Sequence, residues 1–183
     1  PQPYPYSTDP EKAKSLMAES GFPNGFDTTL AFDLGTKEWA EPMCVLIQEA
    51  LAPIGINVTL EKVPSANFRG VLVEKSRPMI VNGFGGWLNY PDYFFFYSYH
   101  GQNATFNGSA YQNPELDKFV DAALKEEAGT PEYEKNVKGF LKIAFEEMPR
   151  IVVALPYLST AMQTNVDGYQ YWFHRQLDFR SLK

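Results

Sequence analysis

The chain reads as an α/β domain in which helices pack on a mostly buried sheet. Three features predict this. Segments with apolar residues at helical spacing alternate along the chain with short runs of strand character. At Asp9-Pro10-Glu11, Asn113-Pro114-Glu115 and Thr130-Pro131-Glu132 a capping side chain is followed by Pro and Glu, the composition of a helix's first turn. Ile151 to Leu155 is a continuous apolar run, as expected of a strand covered on both faces.

The elements follow in order. A helix starts at Asp9, shows Ala13, Leu16, Met17 and Ser20 on one face, and ends at Gly21 in a left-handed conformation. Thr28 to Asp33 alternates like a half-buried strand. From Glu38 to Ile54 the residues Cys44, Ile47, Leu51 and Ile54 recur at helical spacing, and Gly55 closes that helix. Asn57 to Val63 predicts a second strand, Ser65 to Glu74 a short helix, and Pro78 to Gly83 a third strand. The signals at Asn113 and Thr130 open two consecutive helices. Phe119, Val120 and Ala123 face inward in the first; Val137, Phe140, Leu141, Ala144 and Phe145 do so in the second. No internal repeat, low-complexity tract or linker interrupts the pattern, so residues 1–183 are expected to form one domain.

Composition narrows the function. A length of 183 residues is enough for a substantial core, and 44% of them are hydrophobic. No apolar run approaches the roughly 20 residues of a membrane span. The net charge of −6 comes from scattered carboxylates with no basic stripe, which speaks against nucleic acid as a partner. Cys44 stands alone, so no intrachain disulfide forms and no thiolate metal site is indicated. The chain opens on Pro1 and a loop-like PQPYPYSTDP, which fits processing or origin in a longer protein. There is no G-x-S-x-G, H-E-x-x-H, P-loop or G-x-G-x-x-G motif, so neither an enzyme nor a cofactor site is expected.

The most informative stretch is FGGWLNYPDYFFFYSYHGQNATFNGSAY, from Phe84 to Tyr111. Of the chain's 3 Trp, 11 Tyr and 14 Phe, this stretch holds 11 residues, with Asp92 as its only carboxylate and no Lys or Arg. Tyr and Trp join a large apolar face to a polar tip, which suits a wall closing over a neutral or weakly charged ligand. The bland alternative is an aromatic core strand leading into an ordered loop, and a strand entering a site is normally both. The candidate ligand contacts are Trp87, Asn89, Tyr90, Asp92, Tyr93, Tyr97, His100 and Asn103. In a strand, residues two apart share a face, so Tyr90, Tyr93, Tyr97 and Tyr99 would not all face the ligand.

Several segments carry a resemblance. YSTDPEKAKSLMAESGFPNGFD is similar to the opening Y-x-x-D-P-E-K-A-K segment of the family 5 extracellular solute-binding proteins, which feed ABC importers. IQEALAPIGINVTLEKV, GGWLNYPD, YQNPELDKFVDAAL, EEMPRIVVALPY and NVDGY resemble later segments in the family's order, from about Tyr6 to Tyr169. The resemblance implies a periplasmic-binding-protein-like lobe with a mixed sheet flanked by helices. It implies that this chain is the second, C-terminal lobe of a larger two-lobed protein whose N-terminal lobe is missing here, with residues 170–183 crossing back to that lobe. It also implies a small solute (peptide, opine or sugar-like) held between two lobes, importer membrane subunits as partners, and a periplasmic or extracytoplasmic location.

One departure bears on the ligand. Peptide-binding members place an Asp shortly after the Trp of the G-W turn, where it pairs with the peptide's α-ammonium. Here the turn reads Gly86-Trp87-Leu88-Asn89-Tyr90-Pro91-Asp92, with Asn89 at or next to that position. An amide does not neutralise a buried ammonium, so a solute without a free N-terminal amine is expected unless Asp92 takes over. Two rival functions are weighed. A glycosidase needs a second carboxylate brought to Asp92, such as Asp33 or Asp117; an interaction module would turn the aromatic face to a protein partner.

Overall fold

A computed structural model describes residues 6–85, 88–103, 105–155, 159–171 and 179–183. They form two compact units, Pro1–Gly83 with Ala104–Ala110 and Phe84–Asn103 with Tyr111–Lys183.

The first unit is built on a sheet of three strands, β1 (Phe26–Asp33), β2 (Ile56–Val63) and β3 (Met79–Val81). The order is β2-β1-β3 and both pairings are parallel, with Phe26 opposite Ile56 and Leu30 opposite Met79. A mixed sheet would need an antiparallel neighbour, and no described strand supplies one. β1 is central, so Leu30, Ala31 and Phe32 are buried in succession rather than alternately. α1 (Pro10–Glu19) starts as expected, the Lys12 N–H donating to the Asp9 carboxylate at 3.0 Å. Its apolar face is shallow: Ala13 and Met17 are half-buried and Leu16 is exposed.

α2 (Lys37–Leu51) places Ala40 and Cys44 in the core beside Leu30, Phe32 and Val58, with Ile47 and Leu51 packed against them. The expected spacing of Cys44, Ile47 and Leu51 is the helix's buried stripe. Gly55 closes the following turn at φ 85°. A Cβ on Gly25 would lie 1.8 Å from the Gly55 carbonyl oxygen, so the two glycines touch backbone to backbone where β1 and β2 begin. α3 (Ser65–Glu74) follows β2 with the expected bounds.

The second unit is helical. α4 (Pro91–Ser98), α5 (Pro114–Ala123) and α6 (Pro131–Glu147) each begin with Pro at the first position. Asn113 caps α5, accepting from the N–H of Glu115 at 2.9 Å and of Leu116 at 3.1 Å. Thr130 caps α6, accepting from Tyr133 N–H at 3.3 Å. Leu116, Val120, Ala123, Tyr133, Phe140 and Ala144 form the core, and Phe95, Phe96 and Tyr99 pack against it.

Two expectations are corrected. The aromatic run is a helix, not a strand. Pro91 and Asp92 supply a helical first turn, and Phe95 packs on Phe140 with ring centroids 4.3 Å apart. Packing overrides the strand preference of Phe and Tyr. Ile151 to Leu155 is not a strand and is exposed, with Ile151 at 75% and Leu155 at 87%. A strand covered on both faces requires neighbours, and none pairs with it among the described residues.

Candidate functional site

In the first unit the topology marks a place. β1 leads through α2 to β2 on one side, and β2 leads through α3 to β3 on the other side of β1. The strand order reverses there, and open parallel sheets bind ligands outside the carboxyl ends of the strands at such a point. The end of β1 is braced there. Asp33 accepts from Gly35 N–H at 2.8 Å and from the Ser65 hydroxyl at 2.6 Å, while the Thr36 hydroxyl donates to the Asp33 carbonyl at 2.8 Å. Lys37 then opens α2, exposed. β3 ends at Val81, and Asn82 and Gly83 continue from it. In the sequence Asp33 stands out for function only as a candidate glycosidase carboxylate and residues 34–37 not at all, because only the strand order shows that β1 ends at a reversal.

In the second unit the candidates gather around α4. Asn89 and Tyr90 are exposed just before it, and Trp87 lies outside the described residues. Tyr93 and Tyr97 are one helical turn apart, their rings 4.8 Å between centroids, so the helix puts on one face two residues that four-residue spacing in a strand would also align. Tyr93 also meets Phe94 edge-on at 5.8 Å, and Phe94 meets Phe84 at 5.5 Å.

Asp92 is already engaged. Its Oδ1 accepts from the Tyr133 hydroxyl at 2.6 Å, a contact across 41 residues of sequence. Burial, and then the bond to Asp92, push the Tyr133 phenol up to about 12. The other rival carboxylates have local duties as well. Asp33 braces the end of β1, and Asp117 accepts from Gly101 N–H at 3.1 Å.

His100 is buried at 6% exposure and holds the chain after α4. Its Nδ1 accepts from Gln102 N–H at 3.2 Å, and its Nε2 lies 3.3 Å from Asp121 Oδ1. Asn103 is half-buried, and its N–H donates to the His100 carbonyl at 3.0 Å. His100 and Asp117 thus brace residues 100–103 from within. Among the described residues no group of three His, Cys, Asp or Glu gathers to hold a metal ion.

The chain belongs to the bacterial extracellular solute-binding proteins, family 5, matching the profile described as "family 5 Middle" over residues 1–106. It is similar to the glutathione-binding protein GsiB of Escherichia coli (strain K12), 27% identical over 176 residues, covering 92% of this chain and 34% of that protein. Among solved structures it is similar to the ABC transporter-associated periplasmic binding protein DppA of Helicobacter pylori in complex with peptide STSA. That match has a TM-score of 0.82 at 25% identity, covering 97% of this chain and 35% of the other. The fold also matches AgaA of A. tumefaciens R10 in complex with agropinic acid, with a TM-score of 0.65 at 24% identity over 81% of this chain and 32% of that one. The chain spans about a third of the length of the curated relatives it matches. No described helix is long and apolar enough to cross a membrane.

Proposed function

We propose that this chain is one lobe of an extracytoplasmic solute-binding protein that delivers a small solute to the membrane subunits of an ABC importer. Family membership supports the class, and the periplasmic description of DppA supports the location. In this reading Trp87, Asn89, Tyr90, Tyr93, Tyr97 and Asn103 belong to the wall that meets the solute, and closure against the other lobe excludes water and strengthens the polar contacts. The role is binding rather than catalysis.

The solute class rests on one observation: Asn89, the first polar side chain after the G-W pair in the sequence, is neutral and exposed, while Asp92 is half-buried with its Oδ1 turned to the Tyr133 hydroxyl. A solute with a free α-ammonium would bring a cation to a place whose exposed side chain is a neutral amide, with the half-buried Asp92 turned toward Tyr133. Leaving a charge desolvated without a partner costs several kcal/mol. The solute is therefore one without that group, an opine-like, sugar-like or capped molecule.

Titration calorimetry on the full-length protein tests this. Wild type is expected to bind free dipeptides weakly, and Asn89→Asp to tighten them at least tenfold, about 1.4 kcal/mol. Tight dipeptide binding by wild type overturns the solute class. Native mass spectrometry of the protein purified without added ligand provides a second test, since retained peptides would contradict the proposal.

A further inference from the structure

After α6 the chain turns through Met148 in a left-handed conformation, φ 46°, and Pro149 follows. A non-glycine residue in that region followed by a proline leaves the backbone little freedom, so the position of Arg150 is well defined. Its guanidinium carbon stands 5.9 Å from the centroid of the Tyr99 ring. Tyr99 is itself held, stacked on Phe95 at 4.5 Å and meeting Tyr111 edge-on at 6.4 Å. The guanidinium is partly withdrawn from water, and this desolvation lowers its pKa.

The carboxylates nearest in sequence have other partners. Glu147 accepts from the Tyr111 hydroxyl at 2.6 Å with one oxygen and from the Asn113 amide at 2.8 Å with the other. Glu146 lies 4.0 Å from the Lys142 ammonium. Among the described residues no carboxylate pairs with Arg150, whose guanidinium faces the Tyr99 ring. A ring face attracts the charge but accepts none of the five N–H donors in the usual in-plane sense. Arg150 is half-buried, so water can reach the guanidinium, and its planar fork matches a carboxylate that could replace that water.

We infer that Arg150, with Tyr99 beneath it, is a receptor for a carboxylate group. It stands by the residue that ends α4, whereas Asn89 and Asp92 stand at the start of that helix. The inference therefore goes beyond the solute site above and holds or fails independently of it. The carboxylate comes either from a small molecule in solution or from an Asp or Glu elsewhere in the full-length protein.

Thermal melting of the full-length protein separates these sources, using sodium acetate against sodium chloride at matched ionic strength and pH, with Arg150→Met and Arg150→Lys as variants. A carboxylate from solution predicts a saturable rise of the wild-type melting temperature in acetate. R150M then loses that rise while melting no lower than wild type in chloride, and R150K keeps part of it. A carboxylate from the protein predicts that R150M melts lower in chloride, that R150K recovers part of the loss, and that acetate shifts neither. Equal melting of wild type and R150M with equal response to acetate overturns the inference. So does a loss in R150M that R150K does not recover, since that marks packing alone.

Discussion

Tyr133→Phe isolates the bond that sets the state of the G-W turn's carboxylate. Tyr133 is buried in the α5–α6 core, and only its hydroxyl leaves that core, to reach Asp92 at 2.6 Å. The substitution keeps the ring and its packing and removes one hydrogen bond to a charged acceptor. Such bonds contribute about 1.5–3 kcal/mol. Asp92 is half-buried, so water replaces part of what is lost, and the lower figure applies. A loss of about 1.5 kcal/mol corresponds to a fall of about 3–6 °C in melting temperature for a chain of this size. A double-mutant cycle with Asp92→Ala, measured by urea unfolding at pH 7, is the decisive assay. A coupling of about 1 kcal/mol or more is expected. If the two losses simply add, Asp92 is not held by Tyr133 and remains available to a ligand's ammonium. The argument about solute class would then fail with it. The alkaline limb gives an independent reading. The folded phenol titrates at about 12, above its ordinary value, so this stabilisation is complete below the ordinary tyrosine range and is lost as pH rises through the folded pKa. Tyr133→Phe should flatten that part of the pH-stability curve.

Two further outcomes follow from the packing and the surface. A Cβ on Gly139 would lie 2.6 Å from the Phe119 ring, so Gly139→Ala should destabilise the α5–α6 contact by roughly 1–2 kcal/mol net, overpacking outweighing the gain of about 1 kcal/mol in helix propensity. Calorimetric melting checks the sign, and Phe119→Leu in the same chain should relieve the loss. Glu61 takes two hydrogen bonds from Arg77, at 2.7 and 2.8 Å, and this bonding holds its carboxyl below the ordinary glutamate range. The pair's stabilisation is present above that ordinary range and is lost as pH falls through the lowered value, so Glu61→Gln should flatten the acid limb in a pH series of urea midpoints.

The helix starts were legible because their signals are local. Asp9, Asn113 and Thr130 each bond the backbone within three residues, and nothing distant is needed to see it. α4 carried half of the same signal, Pro91 and Asp92, but Tyr90 has no side-chain cap and the run PDYFFFYS is aromatic nearly all round. Periodicity therefore could not separate helix from strand, and the contact that decides it, Phe95 on Phe140, spans 45 residues. Ile151 to Leu155 failed in the opposite way. Its composition reports what the segment would tolerate as cover, and cover is a property of neighbours. The family was legible in the order of short segments, whereas the topological reversal beside Asp33 appears only once β3 is seen to pair with β1 rather than β2.

The polar residues of the aromatic stretch divide by what they face. Asp92 turns to Tyr133, and His100 accepts from Gln102 N–H, so the groups that looked most chemical in the sequence serve the fold first. What stays outermost is neutral: Leu88, Asn89 and Tyr90 are exposed, and Tyr93 and Tyr97 share one half-buried face. In the proposed reading, where this face meets the solute, outer groups that are amide and phenol select by shape, stacking and hydrogen bonds rather than by ion pairing. Such a wall leaves any charge on the solute to be met elsewhere. That is why a single change at Asn89, which restores a carboxylate to the outer set without touching Asp92, should be enough to alter which solutes bind.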